Sequence, residues 1–324
     1  MEQTTTEQTV AEQKNYSLGF HGTGSELFGI IIVNWLLTVI TLGFYYPWAK
    51  AKQLSYMFGA TSLNNDRFAF HGTGKEMFKG FIKALIIFVV LYGILIVSVV
   101  FHMEILGFAI FYIGFLGLIP LAIHGTYKYR MSRTSWRGIR FGYRGERGQL
   151  FGVFIKGILL SILTIGIYGS WFAMNLRNYI FSNIKFGNIE FKSNARGSSY
   201  FVLVLKGYFL SFITLGIYSF WWMSEIFAFY VNNISMHKDD KEIRLKSTAT
   251  GVGFLGLILG NLLIIVFTLG LGFAWTQVRT MNFIANNIEL EGNIDLDSIS
   301  QTEEEFTDAT GEDVSDFLDL DITL

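Results

Sequence analysis

Six uncharged apolar runs organise the chain: residues 27–46, 84–101, 105–123, 157–176, 207–224 and 251–275. Each is near the roughly 20 residues with which an α-helix crosses ~30 Å of hydrocarbon. Between them the pattern switches to alternating apolar and polar residues closed by glycine: "GFHGTG" (19–24), "FAFHGTG" (68–74), "IRFGYRG" (139–145), "IEFKSNARG" (189–197) and "IRLKSTATG" (243–251). That period of two predicts a short strand and a turn. Aligned on Phe20, Phe70, Phe141, Phe191 and Leu245, the segments step by 50, 71, 50 and 54 residues, a unit length found in repeat architectures.

Four of the runs carry one motif: "TLGFYYPW" (41–48), "TIGIYGSW" (164–171), "TLGIYSFW" (214–221) and "TLGLGFAW" (268–275). Thr41, Thr164, Thr214 and Thr268 close a helix, and Gly43, Gly166, Gly216 and Gly270 stand as C-cap glycines able to take φ > 0. Trp48, Trp171, Trp221 and Trp275 then open a second, more polar helix, with Pro47 in its first turn in the first copy. The aromatic pairs Tyr45/Trp48, Tyr168/Trp171 and Tyr218/Trp221 suit a membrane–water interface, or packing between helices. The second copy lacks the motif, is about 21 residues longer, and reads as a hairpin joined by His102-Met103-Glu104.

The expected fold is therefore an all-α polytopic membrane protein. It has about five internal repeats of strand-turn plus helical hairpin and at least six strongly apolar transmembrane helices, up to ten if the second helices insert. Its parts are a disordered N-terminal tail (1–18), a repeat-built transmembrane domain (19–290, repeats near 19–68, 69–139, 140–189, 190–243 and 244–290) and an acidic disordered C-terminal tail (291–324).

Composition points the same way: 51% hydrophobic, 17% aromatic, 16% charged, mean hydropathy +0.41. The polar first 19 residues hold no apolar core ahead of a cleavage site, so no cleavable signal peptide is expected. With no cysteine, disulfides, thiolate metal sites and cysteine nucleophiles are excluded. The near-neutral net charge hides an asymmetry, because 12 of the 26 acids and none of the 25 Lys and Arg lie in 291–324.

Basic residues crowd every inter-repeat segment and are missing from 102–104. The positive-inside bias then puts 65–75, 132–147, 185–197 and 236–248 in the cytoplasm, which requires an even number of crossings, or a re-entrant hairpin, in every repeat. The competing arrangement is six single spans with both tails outside.

Repeated F-x-G turns feeding TLGxYxxW in a polytopic chain resemble the bacterial inner-membrane YjgN family, the domain of unknown function 898, over residues 18–290. The resemblance implies the bacterial cytoplasmic membrane. The family carries no assigned activity, so no catalytic or ligand residue transfers to any position.

Little in the chain suggests catalysis. The His21-Gly22-Thr23-Gly24 and His71-Gly72-Thr73-Gly74 segments lack the G-x-S-x-G elbow that would supply a nucleophile, and HExxH, Walker and dinucleotide patterns are missing. The expectation is no enzyme, no cofactor and no metal. "TYKYRMSRTSWRGIRFGYRGER" (126–147) reads as a topology determinant touching anionic lipid headgroups rather than a nucleic-acid site.

The polar residues within the apolar runs are the better lead. Lys83, Lys156 and Lys206, with Asn34 and Asn261 at related offsets, form a candidate cavity-lining layer, since ionisable groups in a membrane are expensive. The bland alternative is snorkelling. The functions to weigh are a channel or transporter subunit for small polar or anionic solutes, and a membrane scaffold recruiting a partner or anionic lipid through its basic face and acidic tail.

Overall fold

The computed structural model describes residues 14–318. Strand β1 (Lys14–Phe20) leads into helices α1 (Gly24–Ile40) and α2 (Tyr46–Ala60), and hairpin β2 (Thr61–Leu63) and β3 (Asp66–Phe70) follows. The order then recurs: α3 (Gly74–Val100), α4 (Glu104–Arg133), β4 (Thr134–Trp136), β5 (Ile139–Tyr143); α5 (Arg147–Leu163), α6 (Gly169–Ser182), β6 (Ile184–Phe186), β7 (Ile189–Ser193). It continues through α7 (Gly197–Ile213), α8 (Ser219–Asn232), β8 (Ile234–Lys238), β9 (Lys241–Ser247), then α9 (Gly251–Phe267), α10 (Phe273–Asn286) and β10 (Ile288–Gly292).

All ten strands pair antiparallel into a closed barrel, with β1 bonded to β10 on one side and β2 on the other. Closure removes the exposed strand edges that invite aggregation. Tight turns join β2–β3, β4–β5, β6–β7 and β8–β9, with positive φ at Asn64 and Asn65, at Arg137 and Gly138, at Gly187 and at Asp239. Every other neighbouring pair except the β1–β10 closure is connected through a helix pair or, for β1–β2, α1 and α2. Alternation of direction therefore puts every helix pair at one end of the barrel and every tight turn at the other.

Inside the barrel, Tyr16, Leu63, Trp136, Phe186, Ile189, Met236, Ile243 and Leu290 form the core. The chain after β10 completes it. Ile294, Leu296 and Ile299 pack into the same cluster around a 3₁₀ turn (Leu296–Ser298), and Tyr16 Oη donates to the Ile294 carbonyl. The acidic segment, expected to be disordered from 291, thus closes the turn end of the barrel and runs on to helix α11 (Thr310–Phe317) against α3 and α4. Residues 1–13 and 319–324, which hold most of the expected N-terminal tail and the end of the C-terminal one, lie outside the described residues.

The all-α expectation with six or more spans is overturned. The alternating segments are strands that close on one another, and each gains a second arm, such as Thr61–Leu63, too short to show as a pattern. The apolar runs mislead for a different reason: in 27–46, 157–176, 207–224 and 251–275 the TLG turn falls inside the run and divides it between two helices. The first helices of those pairs have 17 residues, about 25 Å. Among the described residues only α3 and α4, with 27 and 30, are long and apolar enough to cross a membrane.

Candidate functional site

The TLG turn is built identically four times. Each threonine hydroxyl donates to the carbonyl four residues back and accepts the amide four residues on: Thr41 with Leu37 and Tyr45, Thr164 with Leu160 and Tyr168, Thr214 with Leu210 and Tyr218, Thr268 with Ile264 and Gly272, all at 2.6–2.9 Å. The next residue takes a left-handed conformation at φ 51–52° (Leu42, Ile165, Leu215, Leu269), and Gly43, Gly166, Gly216 and Gly270 follow at φ 87–93°. Only the second of these positions is filled by the residue that adopts such angles freely. The first is an aliphatic side chain held out at the tip, 89% exposed at Leu42, 95% at Ile165 and 93% at Leu215 and Leu269. Four such tips, flanked by exposed Ile40, Leu163, Phe212 and Phe267, make an apolar rim that water would disfavour.

The motif tryptophans join neighbouring helix pairs. Trp48 packs on Gly74, Trp171 on Gly197, Trp221 on Gly251 and Trp275 on Gly24, each the first residue of the following first helix, and the last contact links the fifth pair to the first. A Cβ on Gly197 would lie 2.6 Å from both Cα and Cδ1 of Trp171. Phe78, Phe201 and Phe28 stand 5.0–5.3 Å from the rings of Trp48, Trp171 and Trp275. Packing is therefore a role of these tryptophans, of which Trp48, Trp221 and Trp275 keep an exposed edge. The histidines that drew attention are tied into the barrel rim, His21 to Ser62 (2.9 Å) and His71 to Ser135 (2.8 Å). The threonines after them are N-caps; Thr73 and Glu76 form a capping box that the T-x-x-E spacing announces.

The Lys and Asn residues do not converge. Asn34 is buried and donates to the Ala49 carbonyl (3.2 Å), and Asn261 donates to Thr280 Oγ1 (3.1 Å), each within its own helix pair. Lys206 pairs with Glu225 on the adjoining helix (2.6 Å), and Lys83 with Asp308 of the acidic segment (3.2 Å). Lys156 is exposed on α5. Asn34 borders a groove between α1 and α2 with Thr38, Lys50 and Gln53 on its wall.

The feature that sequence reasoning missed lies at the helix end of the barrel. A cavity of about 310 Å³ is lined by Leu18, Phe141, Phe191, Met236 and Leu245 from the strands, and by Phe58, Met131 and Phe181 at the inner ends of α2, α4 and α6. Thr61 and Thr134 are the hydroxyl-bearing residues among the described ones that line it. No run of sequence marks it, because its wall is assembled from one or two inward-facing positions on each of thirteen separate elements. Pockets of this size and apolar lining hold small molecules.

The second missed feature is the seat of the acidic segment. Glu312, fully buried, receives Lys50 Nζ at 2.6 Å and Arg130 Nε and Nη2 at 2.6–2.9 Å. Glu305 pairs with Arg133 and Arg140, Glu303 with Arg144, and Asp297 with Arg137. The basic stretch 126–147, which looked suited to lipid, is thus largely engaged by the chain's own acids. A charge count for the two segments was the available signal.

A family described as "Bacterial protein of unknown function (DUF898)" matches residues 15–206 and 222–317, and the chain belongs to it. Inner membrane protein YjgN of Salmonella typhimurium (strain LT2) is 25% identical over 377 residues, covering 91% of this chain and 92% of that protein. The YjgN proteins of Escherichia coli O157:H7 and K12 are 33% and 32% identical over 149 residues, 46% of this chain and 36% of theirs. Their names place these relatives in the inner membrane and state no activity. No solved structure matches the chain.

Proposed function

We propose that the protein is an integral protein of the bacterial inner membrane that receives an apolar chain, lipid acyl or prenyl, in the membrane-facing mouth of its barrel. The cavity carries this reading: about 310 Å³, walled by phenylalanine, leucine and methionine, at the end of the barrel from which the helices rise. The name of the relatives supports the compartment. In this reading the four shorter pairs dip about 25 Å into the bilayer with their aliphatic tips leading, and α3 and α4 cross it. The barrel and its basic strands stay on the cytoplasmic side. Backbone groups at depth are satisfied inside the helices and the TLG turns, as hydrocarbon demands.

A conduit for polar or anionic solutes fits less well. A polar solute entering the barrel would lose its hydration against aromatic walls and meet the packed side chains of Ile294, Leu296 and Ile299 at the far end. The scaffold reading weakens too, because Asp297, Glu303, Glu305, Asp308 and Glu312, five of the acids offered to a partner, are already paired within the chain.

The test is photolabelling of the protein in nanodiscs with a lipid bearing a diazirine at the chain terminus. Adducts are expected on Phe141, Phe191 or Met236, and Leu245→Trp together with Leu18→Trp should abolish them. Adducts confined to outward positions such as Leu159, Val202 and Leu262, unchanged by the two substitutions, would refute the reading.

A further inference from the structure

Arg177 stands on α6 one turn before Phe181, on the same helix face, and therefore one turn deeper among the helices than a ring that lines the cavity. Its guanidinium is sandwiched: Cζ lies 4.4 Å from the centroid of Phe181 and 4.4 Å from that of Tyr230 on α8. Two aromatic faces of this kind stabilise a cation and hold its planar fork in place. The hydrogen bonding is incomplete. Nη2 donates to the Tyr230 carbonyl at 3.1 Å, and Nε is shut off from solvent with no acceptor. Tyr230 Oη donates onward to Tyr200 Oη at 2.9 Å, so the phenol is turned to its neighbour and not to the arginine.

Arg130, Arg133, Arg137, Arg140, Arg144 and Arg244 have carboxylates as partners, and Arg67, Arg147, Arg196 and Arg279, which have none, are exposed. Arg177 has neither: no Asp or Glu among the described residues comes within ion-pair distance of it, and its Nε is shut off from solvent. An arginine that only held helices together would be satisfied by an acid or by several carbonyls. A charge kept in an apolar setting, with donors left over, fits an anion that arrives from outside the chain.

We propose that Arg177 binds the oxyanion of an amphiphile, a phosphate or carboxylate headgroup, whose apolar chain enters the cavity beyond Phe181. The proposal rests on the reading of the cavity as a chain-binding site, and it narrows the ligand to anionic amphiphiles. Arg177 acts here as a specificity-determining residue. Its stem on α6 sets the position, Phe181 and Tyr230 set the plane of the fork, and Nη1, which has no acceptor within the chain and is not shut off from solvent as Nε is, is the donor that the headgroup engages.

Binding to the full-length protein in nanodiscs, read by displacement of a fluorescent fatty acid, tests it with four probes: palmitate, phosphatidic acid, the neutral diacylglycerol, and inorganic phosphate. The wild-type protein should prefer palmitate and phosphatidic acid over diacylglycerol by about 10- to 100-fold, the worth of a charge-assisted hydrogen bond. Arg177→Gln should remove that preference while leaving diacylglycerol within about twofold, Arg177→Lys should restore part of it, and inorganic phosphate should displace nothing. Equal wild-type binding of anionic and neutral probes overturns the role of Arg177 and leaves the cavity reading standing. Binding of none of the amphiphiles overturns both. Displacement by inorganic phosphate alone overturns the amphiphile and leaves a plain anion site. Should Arg177→Gln fail to fold, the wild-type preference and the Arg177→Lys variant decide the same question.

Discussion

Glu312→Gln should free helix α11 from the body of the protein without unfolding that body. The carboxylate is fully buried between Lys50 and Arg130, with nitrogens at 2.6–2.9 Å. Burial on its own raises such a group's pKa, yet the two cations outweigh it and hold Glu312 below its ordinary value of 4.5. Because the folded value is the lower one, the stabilisation is present above about pH 4.5 and is lost as pH falls from there through the folded value. Glutamine leaves two buried cations facing each other with one amide oxygen between them. Breaking a buried pair in this way costs ~3–5 kcal/mol, and at about 1.4 kcal/mol per decade the local opening constant rises roughly 140- to 4000-fold. The partly exposed pairs along 297–308 add little by comparison. Hydrogen exchange followed by mass spectrometry provides the assay: peptides from 305–318 should lose protection by that factor while those from 134–143 keep theirs. Unchanged protection of 305–318, or a parallel loss in the barrel strands, would refute the argument. Lys50→Met, Arg130→Met and Glu312→Leu combined should return protection close to wild type, since an apolar replacement of the whole group removes the stranded charges.

The helix joints predict a sharp contrast among glycines: Gly197→Ala should lower stability in detergent by ~1–3 kcal/mol, seen as a fall in Tm, because its Cβ meets Trp171. Gly29→Ala and Gly256→Ala, with open space at the Cβ position, should be neutral or stabilising by up to ~1 kcal/mol; equal effects at all three positions would dismiss the joint. Thr214→Val, which deprives the Tyr218 amide of its acceptor, should cost ~1–3 kcal/mol in a denaturant titration and Thr214→Ser far less. The chain has no cysteine, so single cysteines report topology cleanly: Asn188→Cys should react with an impermeant maleimide from the cytoplasmic side, Met103→Cys from the opposite side, and Leu269→Cys from neither.

The TLG turns and the strands of the alternating segments were visible because their signals are local. Gly43, Gly166, Gly216 and Gly270 are demanded by a backbone angle within one turn, and the Phe20 and Phe70 segments keep period two over enough residues to show it. The barrel was not visible, because strands of three residues such as Ile184–Phe186 carry too few positions for a pattern, and the pair that closes the ring brings together residues as distant as Lys14 and Gly292. Helix spans were overcounted since an apolar run does not record that a turn sits inside it. The Lys and Asn layer was legible as offsets from Thr41, Thr214 and Thr268, but offsets cannot tell that Lys206 has Glu225 and Lys83 has Asp308 beside it. Arg177 was unreadable for a related reason: what distinguishes it from Arg130 is the lack of a carboxylate neighbour, which exists only in three dimensions.

The bond from Tyr16 to the carbonyl of Ile294 joins residues 278 positions apart, and beside it β1 takes β10 as one of its two partners. At roughly 5–20 residues per second of synthesis, the first strand waits about 15–55 s for that partner to leave the ribosome. During the wait the growing sheet ends in two open rims of unpaired N–H and C=O groups, one on β1 and one on whichever strand was made last. Helix pairs can form one after another as they are translated, but the ring of strands stays an arc until the final pair is in place. Biogenesis therefore asks for closure that outpaces edge-to-edge association, and a ribosome stalled within the fifth unit leaves an open-edged, sticky fragment that quality-control proteases would meet before any function does.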